Sequence, residues 1–118
     1  MIKSLLRQKQ AMYKLYDFLP SGNGYKVRLL LTQLGIPFEL IQINILNGES
    51  RTPEFLEKNP NGRIPVLEIE PGVYLSESNA ILIYLSQETD FLPTIGAAST
   101  QESRLELAQI VQWMCFEQ

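Results

Sequence analysis

Three consecutive stretches near the start of this chain switch from a two-residue period to a helical period and back. "MYKLYDFL" alternates in the manner of a strand, and "FELIQIN" (38–44) does so again. Between them, "YKVRLLLTQLG" repeats apolar residues at helical spacing until Gly35 and Pro37 end the pattern. A strand, a helix and a strand of these lengths predict a βαβ unit, whose two strands run parallel.

The following residues continue this series of short elements. "TPEFLEK" predicts a short helix with Thr52 as its N-cap and Pro53 at its first position. "IPVLEIE" and "VYLS" predict two strands joined by a tight turn at 71–72, and "ESNAILIYLSQ" predicts a helix. The buried stripe predicted for that helix consists of Ala80, Ile81, Tyr84 and Leu85. The predicted order is therefore β-α-β-α-β-β-α, an α/β class.

The chain as a whole divides into four parts. They are an extension at 1–11, an α/β domain at 12–92, a linker at 93–99 and a further helix at 100–118. The extension carries three cations and no acid, and we interpret Met12 as the original start. The final helix presents Trp113 and Phe116 without partners, so we expect the chain to be the N-terminal part of a longer protein, with an incomplete helical domain. A C-terminal helix docked on the same sheet is the alternative.

Composition excludes several classes of chemistry. The chain has no histidine, which removes imidazole-based catalysis, and its one cysteine, Cys115, can form neither an internal disulfide nor a CxxC motif. A net charge of −3 does not suit a nucleic-acid-binding protein. Apolar runs are too short to span a membrane. We expect a cytoplasmic protein with no bound metal and with neither nucleic acid nor membrane as a partner.

The turn before the first predicted helix, "PSGNGYK", is typical of a site for an anionic group. Gly22 and Gly24 match the first two glycines of a dinucleotide fingerprint, but the third would fall at Val27, so that interpretation fails. What remains is the Ser21 hydroxyl and free amides around Asn23 at the positive end of a helix dipole, which suit a carboxylate, a phosphate or a thiolate. On this stretch alone, two helix-capping residues are the simpler interpretation.

Two later stretches carry groups suited to an extended ligand. In "NPNGRIPVLE", a cis bond before Pro65 would turn the Ile64 backbone outward to pair with a peptide, but most such bonds are trans, and the sequence alone predicts trans. In "LSESNAI", Ser78 could bind a carboxylate and Glu77 an ammonium, which together describe the end of an α-amino acid. A cap at Ser76 or Glu77, with Ser78 as filler, is the alternative.

Taken together, these stretches resemble the N-terminal domain of the cytosolic glutathione S-transferases. "LYDFLPSGNGYKVRLLL", "TPEFLEKNPNGRIPVLE" and "LSESNAILIYL" look like the successive signatures of that family, in the family's order, from Tyr13 to Leu92. The trailing helix resembles the start of the family's all-helical second domain. The fold that this resemblance implies is thioredoxin-like, with a four-stranded mixed sheet.

The ligand implied by the resemblance is glutathione, as a co-substrate and with no other cofactor. The residues implied to bind it are Ser78 and Glu77 for the γ-glutamyl end, Ile64 and a cis Pro65 for the cysteinyl backbone, and Arg63 and Arg51 for the glycine carboxylate. Related sequences often place a histidine at position 50, where this chain has Ser50.

The resemblance also implies that Ser21 donates a hydrogen bond to the glutathione thiolate. Related bacterial sequences often read "SGNCYK" here, with a cysteine in place of Gly24. We therefore expect Ser21 to activate the thiol, with Asn23 as the second candidate. Tyr16 is a third, but its place in an alternating strand predicts a core residue instead.

The implied function is a glutathione transferase that lowers the thiol pKa and positions the sulfur for attack on an electrophile, in a detoxification role. Relatives usually form homodimers. We expect this chain alone to bind glutathione with little or no turnover. A glutathione-dependent disulfide reductase or peroxidase on the same fold is one alternative, and a non-catalytic protein-interaction module is another.

Overall fold

The computed structural model describes residues 12–93, 96 and 99–117. The predicted extension at 1–11 lies outside the described residues, as do four positions of the predicted linker. The chain divides into two compact units, Met1–Ile81 and Leu82–Gln118.

Four strands and four α-helices lie within the described residues. The strands are β1 (Tyr13–Asp17), β2 (Phe38–Gln42), β3 (Val66–Glu70) and β4 (Val73–Ser76). The helices are α1 (Gly22–Gln33), α2 (Pro53–Lys58), α3 (Ser78–Ser86) and α4 (Gln101–Glu117), with two 3-10 turns at Ile45–Asn47 and Glu49–Arg51. The predicted order of elements is confirmed.

The four strands form one mixed sheet in the order β2-β1-β3-β4. β1 and β2 run parallel, as the βαβ prediction requires, and Tyr13 lies opposite Phe38. β3 is antiparallel to both β1 and β4. The thioredoxin-like fold with a four-stranded mixed sheet is therefore confirmed.

Local signals in the sequence explain where the helices begin and end. Thr52 caps α2, with its Oγ1 accepting a hydrogen bond from the Phe55 amide at 3.2 Å, and Pro53 follows it. Thr100 and Ser103 exchange such bonds at the start of α4, at 3.1 and 2.9 Å. Gly35 follows α1 at φ 67°, a left-handed conformation that favours glycine.

The sheet presents two differently packed faces. Leu15 lies opposite Leu67, and Tyr16 opposite Val66, so the two pairs point to opposite sides. Tyr16 and Val66 pack against Phe55 of α2. Asp17 shares the side of Leu15, and its contacts with α1 place that helix on this other face.

The buried stripe predicted for α3 is wrong at two of its four positions. Ile81 and Leu85 are buried, but Ala80 is exposed and Tyr84 is 38% exposed. The remaining buried positions belong to Ser78 and Ser86, which hydrophobic periodicity overlooks because serine is polar. In α4, Trp113 and Phe116 are exposed and contact each other edge to face, with ring centroids 5.7 Å apart.

Candidate functional site

The sheet register brings the three predicted stretches to one end of the sheet. Tyr16 lies opposite Val66, and Val66 lies opposite Ser76, so these three residues form a single row across β1, β3 and β4. Ser21 follows Tyr16 by five positions, and the turn at the start of α1 that contains it (20–26) is called the Ser21 turn below. Ile64 and Pro65 directly precede the second, and Glu77 and Ser78 directly follow the third.

Ser21 caps α1 with an extended backbone, at φ −75° and ψ 128°. Its Oγ accepts a hydrogen bond from the Gly24 amide at 3.4 Å, so the capping interpretation is confirmed. A hydroxyl that accepts in this way keeps its own proton for donation. Capping and binding of an anion are therefore compatible at Ser21. Asn23 is exposed in the first turn of the helix.

A buried carboxylate lies directly beneath this turn. Asp17, the last residue of β1, is 0% exposed, and its Oδ2 accepts a hydrogen bond from Nη1 of Arg28 at 3.0 Å. A Cβ atom added to Gly24 would lie 1.7 Å from Oδ1 of Asp17, which is far inside van der Waals contact. The carboxylate thus occupies the space that a side chain at position 24 would need. Sequence reasoning missed Asp17, because an acid at the end of a strand usually lies at the surface.

Burial raises the pKa of the Asp17 carboxyl above its ordinary value of 3.8. The Phe18 amide and the Arg28 guanidinium favour the charged form, but they offset only part of the loss of hydration. Arg28 is held in place from its other side as well, since its Nη2 donates to the Leu19 carbonyl at 3.1 Å.

Tyr16 is a core residue, as its position in the strand predicts. It is 8% exposed, and its hydroxyl donates to Oε1 of Glu68 at 2.8 Å. Burial raises the pKa of Tyr16 well above its ordinary value of 10.0, and the carboxylate of Glu68 adds to the effect. The Lys58 ammonium lies 5.4 Å from the ring centroid. This hydroxyl is therefore committed to the α2 side of the sheet.

The loop before β3 is organised by a buried asparagine. Asn59 is 4% exposed; its Nδ2 donates to the Arg63 carbonyl at 2.9 Å, and its Oδ1 accepts from the Asn61 amide at 3.1 Å. Side chains of asparagine commonly close turns in this way. Sequence reasoning did not single out Asn59, although the "NPNG" stretch carries the signal for such a turn.

The two predicted arginines lie beside this loop and within it. Gly62 is buried at φ 63°, and a Cβ atom added to it would lie 3.0 Å from Cδ of Arg51. The Arg51 side chain therefore lies along the backbone next to Arg63, and both arginines are exposed. The peptide bond between Ile64 and Pro65 is cis, in contrast to the expectation from sequence alone and in agreement with the resemblance.

The turn into α3 has an unusual backbone. Glu77 has φ 71°, a left-handed conformation that costs a residue other than glycine about 1–2 kcal/mol. Its side chain is exposed, and its carbonyl accepts from the Ile81 amide at 3.0 Å. Ser78, the first residue of the helix, is 5% exposed. Such strained conformations concentrate at binding sites, so the backbone at Glu77 points to a functional turn.

The starts of α1 and α3 are joined by a side-chain bridge. The Lys26 ammonium donates to Oδ1 of Asn79 at 3.0 Å, and both residues are partly buried. Asn79 directly follows Ser78, and Lys26 lies two residues after Gly24. The bridge therefore fixes the first and third predicted stretches to each other, and it could not be found in the sequence because its partners lie far apart in the chain.

The described residues carry neither a metal centre nor a membrane span. Within the described ranges, no three histidine, cysteine, aspartate or glutamate side chains lie close enough together to bind a metal ion. No helix in that part of the chain has the length and apolar composition to cross a bilayer.

The family model described as "Glutathione S-transferase, N-terminal domain" matches residues 11–87. The chain belongs to this family. The matched range contains the whole sheet, the Ser21 turn, the loop before β3 and the start of α3. The family match therefore extends over the whole candidate site.

Three similar proteins illustrate the range of the family. The crystal structure of a possible glutathione S-transferase from Rhodopseudomonas palustris is 50% identical with a TM-score of 0.80, covering 91% of this chain and 48% of that one. A glutathione transferase homolog from Drosophila mojavensis, with bound glutathione, is 28% identical with a TM-score of 0.77, covering 90% of this chain and 46% of that one. Protein URE2 of Candida maltosa is 35% identical over 108 residues, 89% of this chain and 32% of that protein. The chain thus spans about half of such structures and about a third of such curated relatives.

Proposed function

We propose that this domain binds glutathione and lowers the pKa of its thiol, so that the thiolate attacks an electrophile. The observation that carries the proposal is the row Tyr16–Val66–Ser76, because it places the Ser21 turn, the Ile64 backbone and the Glu77–Ser78 turn at one end of the sheet. The bound glutathione of the Drosophila relative supports this ligand class.

Each part of glutathione finds a chemically matched group among these residues. Ser78, at the first position of α3, presents a hydroxyl and a helix N-terminus to the γ-glutamyl carboxylate, and Glu77 faces its ammonium. The Ile64 backbone pairs with the cysteinyl residue in an extended conformation. The exposed guanidinium groups of Arg63, in the loop before β3, and of Arg51, which packs against Gly62 of that loop, bind the glycine carboxylate.

Thiol activation follows from the Ser21 turn. A free thiol ionises near pH 8.5, so only a small fraction is thiolate at neutral pH. Because Ser21 accepts from the Gly24 amide and keeps its proton, it can donate that proton's hydrogen bond to the thiolate sulfur. Asn23, exposed in the same turn, is the second candidate for this role.

The reaction uses glutathione as co-substrate and needs no metal or protein-bound intermediate. The electrophile, the homodimer, the cytoplasmic location and the detoxification role belong to the same proposal.

Calorimetry with glutathione on the full chain tests this function. Hydrogen bonds to a charged group contribute about 1.5–3 kcal/mol, so we expect Ser78→Ala to weaken binding roughly 10- to 100-fold. Ser86→Ala is the matched control, since Ser86 is a buried serine at the other end of the same helix. We expect Ser86→Ala to leave the affinity unchanged.

S-methylglutathione separates recognition of the peptide from activation of the thiol. We expect Ser21→Ala to raise the pKa of the bound thiol by about one unit, because one hydrogen bond to the thiolate is lost. Ultraviolet absorbance of the thiolate measures this pKa. The same variant should bind S-methylglutathione as tightly as the wild type does. Absence of glutathione binding to the wild type at millimolar concentration would exclude the proposed function.

A further inference from the structure

Oδ1 of Asp17 is a buried polar atom beneath the Ser21 turn, and the proposed function gives it no role. Oδ2 of Asp17 pairs with Arg28 at 3.0 Å, but Oδ1 is buried and has no hydrogen-bond partner among the described residues. Buried carboxylate oxygens are nearly always satisfied, because an unsatisfied one costs free energy. An exception that lies directly below a binding turn calls for a functional reason.

The position of this carboxylate relative to α1 is set by a glycine. Oδ1 would lie 1.7 Å from a Cβ atom at Gly24, so it contacts the backbone of the first turn from the inside. The Gly24 amide meanwhile donates to Oγ of Ser21. The first turn of α1 contains no acidic residue of its own. Asp17 therefore supplies, from the end of β1, an anion at the positive end of the helix.

In the proposed function, a thiolate bound at Ser21 and this carboxylate share one helix terminus. The positive end of the dipole attracts both, while the two negative charges repel each other. The Asp17 side chain is 0% exposed and that of Arg28 only 16%, so solvent and salt screen these charges weakly. The contacts of Arg28 with Asp17 and with the Leu19 carbonyl hold its positive charge in a fixed place.

We infer that the Asp17–Arg28 ion pair sets the acidity of the thiol bound at the Ser21 turn, with Asp17 making that thiol less acidic and Arg28 making it more acidic. This inference rests on the proposed function. Both are positioning residues and not catalytic ones, because each acts on the ligand only through the electric field of its charge. Asp17 in particular is fully buried. The pair holds the thiol pKa at a value between those that either charge alone would produce.

Neutralising each half of the pair in turn tests the inference, with the thiol pKa of bound glutathione measured by ultraviolet absorbance on the full chain. S-methylglutathione complexes serve as the reference, which removes the signal of the exposed Cys115 thiol. We expect Asp17→Asn to lower the thiol pKa by about one unit and Arg28→Gln to raise it by a similar amount. The double variant should return near the wild-type value.

Two control variants separate this effect from a structural one. Glu68→Gln removes a buried carboxylate from the opposite face of the same sheet, and we expect it to leave the thiol pKa within a fraction of a unit. Arg28→Lys keeps the charge while changing the geometry, and it should also leave the value nearly unchanged. A residue that only holds the turn in shape would shift the pKa in the same direction when either partner is lost.

The outcomes distinguish this inference from the proposed function. Opposite shifts in the two single variants support it. Shifts of the same sign, or no shift in Asp17→Asn, overturn it while glutathione binding stands. If Arg28→Gln does not fold, Asp17→Asn and Arg28→Lys decide the question, because only the first should lower the pKa. Absence of binding to the wild type defeats the proposed function, and the inference with it.

Discussion

At the scale of single residues, the candidate site depends on a close fit between a glycine and a carboxylate. Gly24 has no side chain because the Asp17 carboxyl fills the space in which its Cβ atom would lie. A larger residue at position 24 would need a smaller residue, or a displaced carboxyl, at position 17. The two positions should therefore vary in a coupled way.

We predict that Gly24→Ala destabilises the protein by about 1–3 kcal/mol, because the new methyl group overlaps Asp17 at 1.7 Å. The control is Gly22→Ala in the same turn, where no atom lies within 4 Å of the added Cβ. A glycine-to-alanine change in a helix is otherwise neutral or favourable by up to about 1 kcal/mol. Urea unfolding of both variants measures the difference.

The same fit predicts a compensating change. In the double variant Asp17→Ala with Gly24→Ala, the methyl group meets no carboxyl, so the cost of the second substitution should largely vanish. A double-mutant cycle gives this coupling directly. Equal stability of Gly24→Ala and Gly22→Ala would show instead that Asp17 moves aside without cost.

At the scale of elements, the site depends on how two helix starts are held together. The hydrogen bond from Lys26 to Asn79, at 3.0 Å, fixes the second turn of α1 against the first turn of α3. A ligand that spans the Ser21 and Ser78 turns needs this spacing before it binds, because ordering the two turns on binding would reduce its affinity.

We predict that Lys26→Met and Asn79→Ala each weaken glutathione binding roughly 3- to 10-fold, since each removes one charge-assisted hydrogen bond of about 1.5–3 kcal/mol, part of which is expressed in binding. The double variant should bind about as tightly as either single one. Lys14→Met, on the neighbouring strand, controls for the loss of one positive charge. Penalties that add in the double variant, measured by calorimetry, would mean that the two side chains act separately.

Elements with strong local signals could be predicted, and contacts between distant residues could not. The parallel pairing of β1 and β2 follows from their lengths and from the helix between them, and Thr52 marks the start of α2 by its chemistry. In α3 the prediction placed Ala80 and Tyr84 in the core because periodicity counts only apolar residues, whereas Ser78 and Ser86 are buried there.

Within the site, the difference between local and distant contacts is just as clear. Ser21 could be placed as a cap from its neighbours in the chain. The burial of Asp17 depends on Gly24 and Arg28 approaching across a helix–sheet interface, and the bridge from Lys26 reaches a helix 53 positions away. The left-handed conformation of Glu77 has no signal in the sequence, because glycine is the residue that normally marks it.

At the scale of the whole molecule, each face of the sheet buries a titratable group whose pKa is raised. Asp17 lies on the α1 side and Tyr16 on the α2 side, and burial raises the pKa of both. In each case the folded state holds its proton more tightly than the unfolded chain does. The free energy of unfolding therefore decreases as pH rises from the unfolded pKa towards the folded one.

We predict that two single substitutions each remove this decrease in the free energy of unfolding, in separate pH ranges. Relative to wild type, Asp17→Asn should gain stability as pH rises above the ordinary carboxyl value of 3.8, because asparagine has no charged form to bury. Tyr16→Phe should gain stability relative to wild type only above the ordinary tyrosine pKa of 10.0. Below that pH, the lost hydrogen bond to Glu68 should lower its free energy of unfolding by a constant amount. Urea unfolding across both ranges measures the differences. A pH-independent difference for Asp17→Asn would mean that the Arg28 guanidinium fully replaces the lost hydration, and the carboxylate would then destabilise neither the turn above it nor the fold.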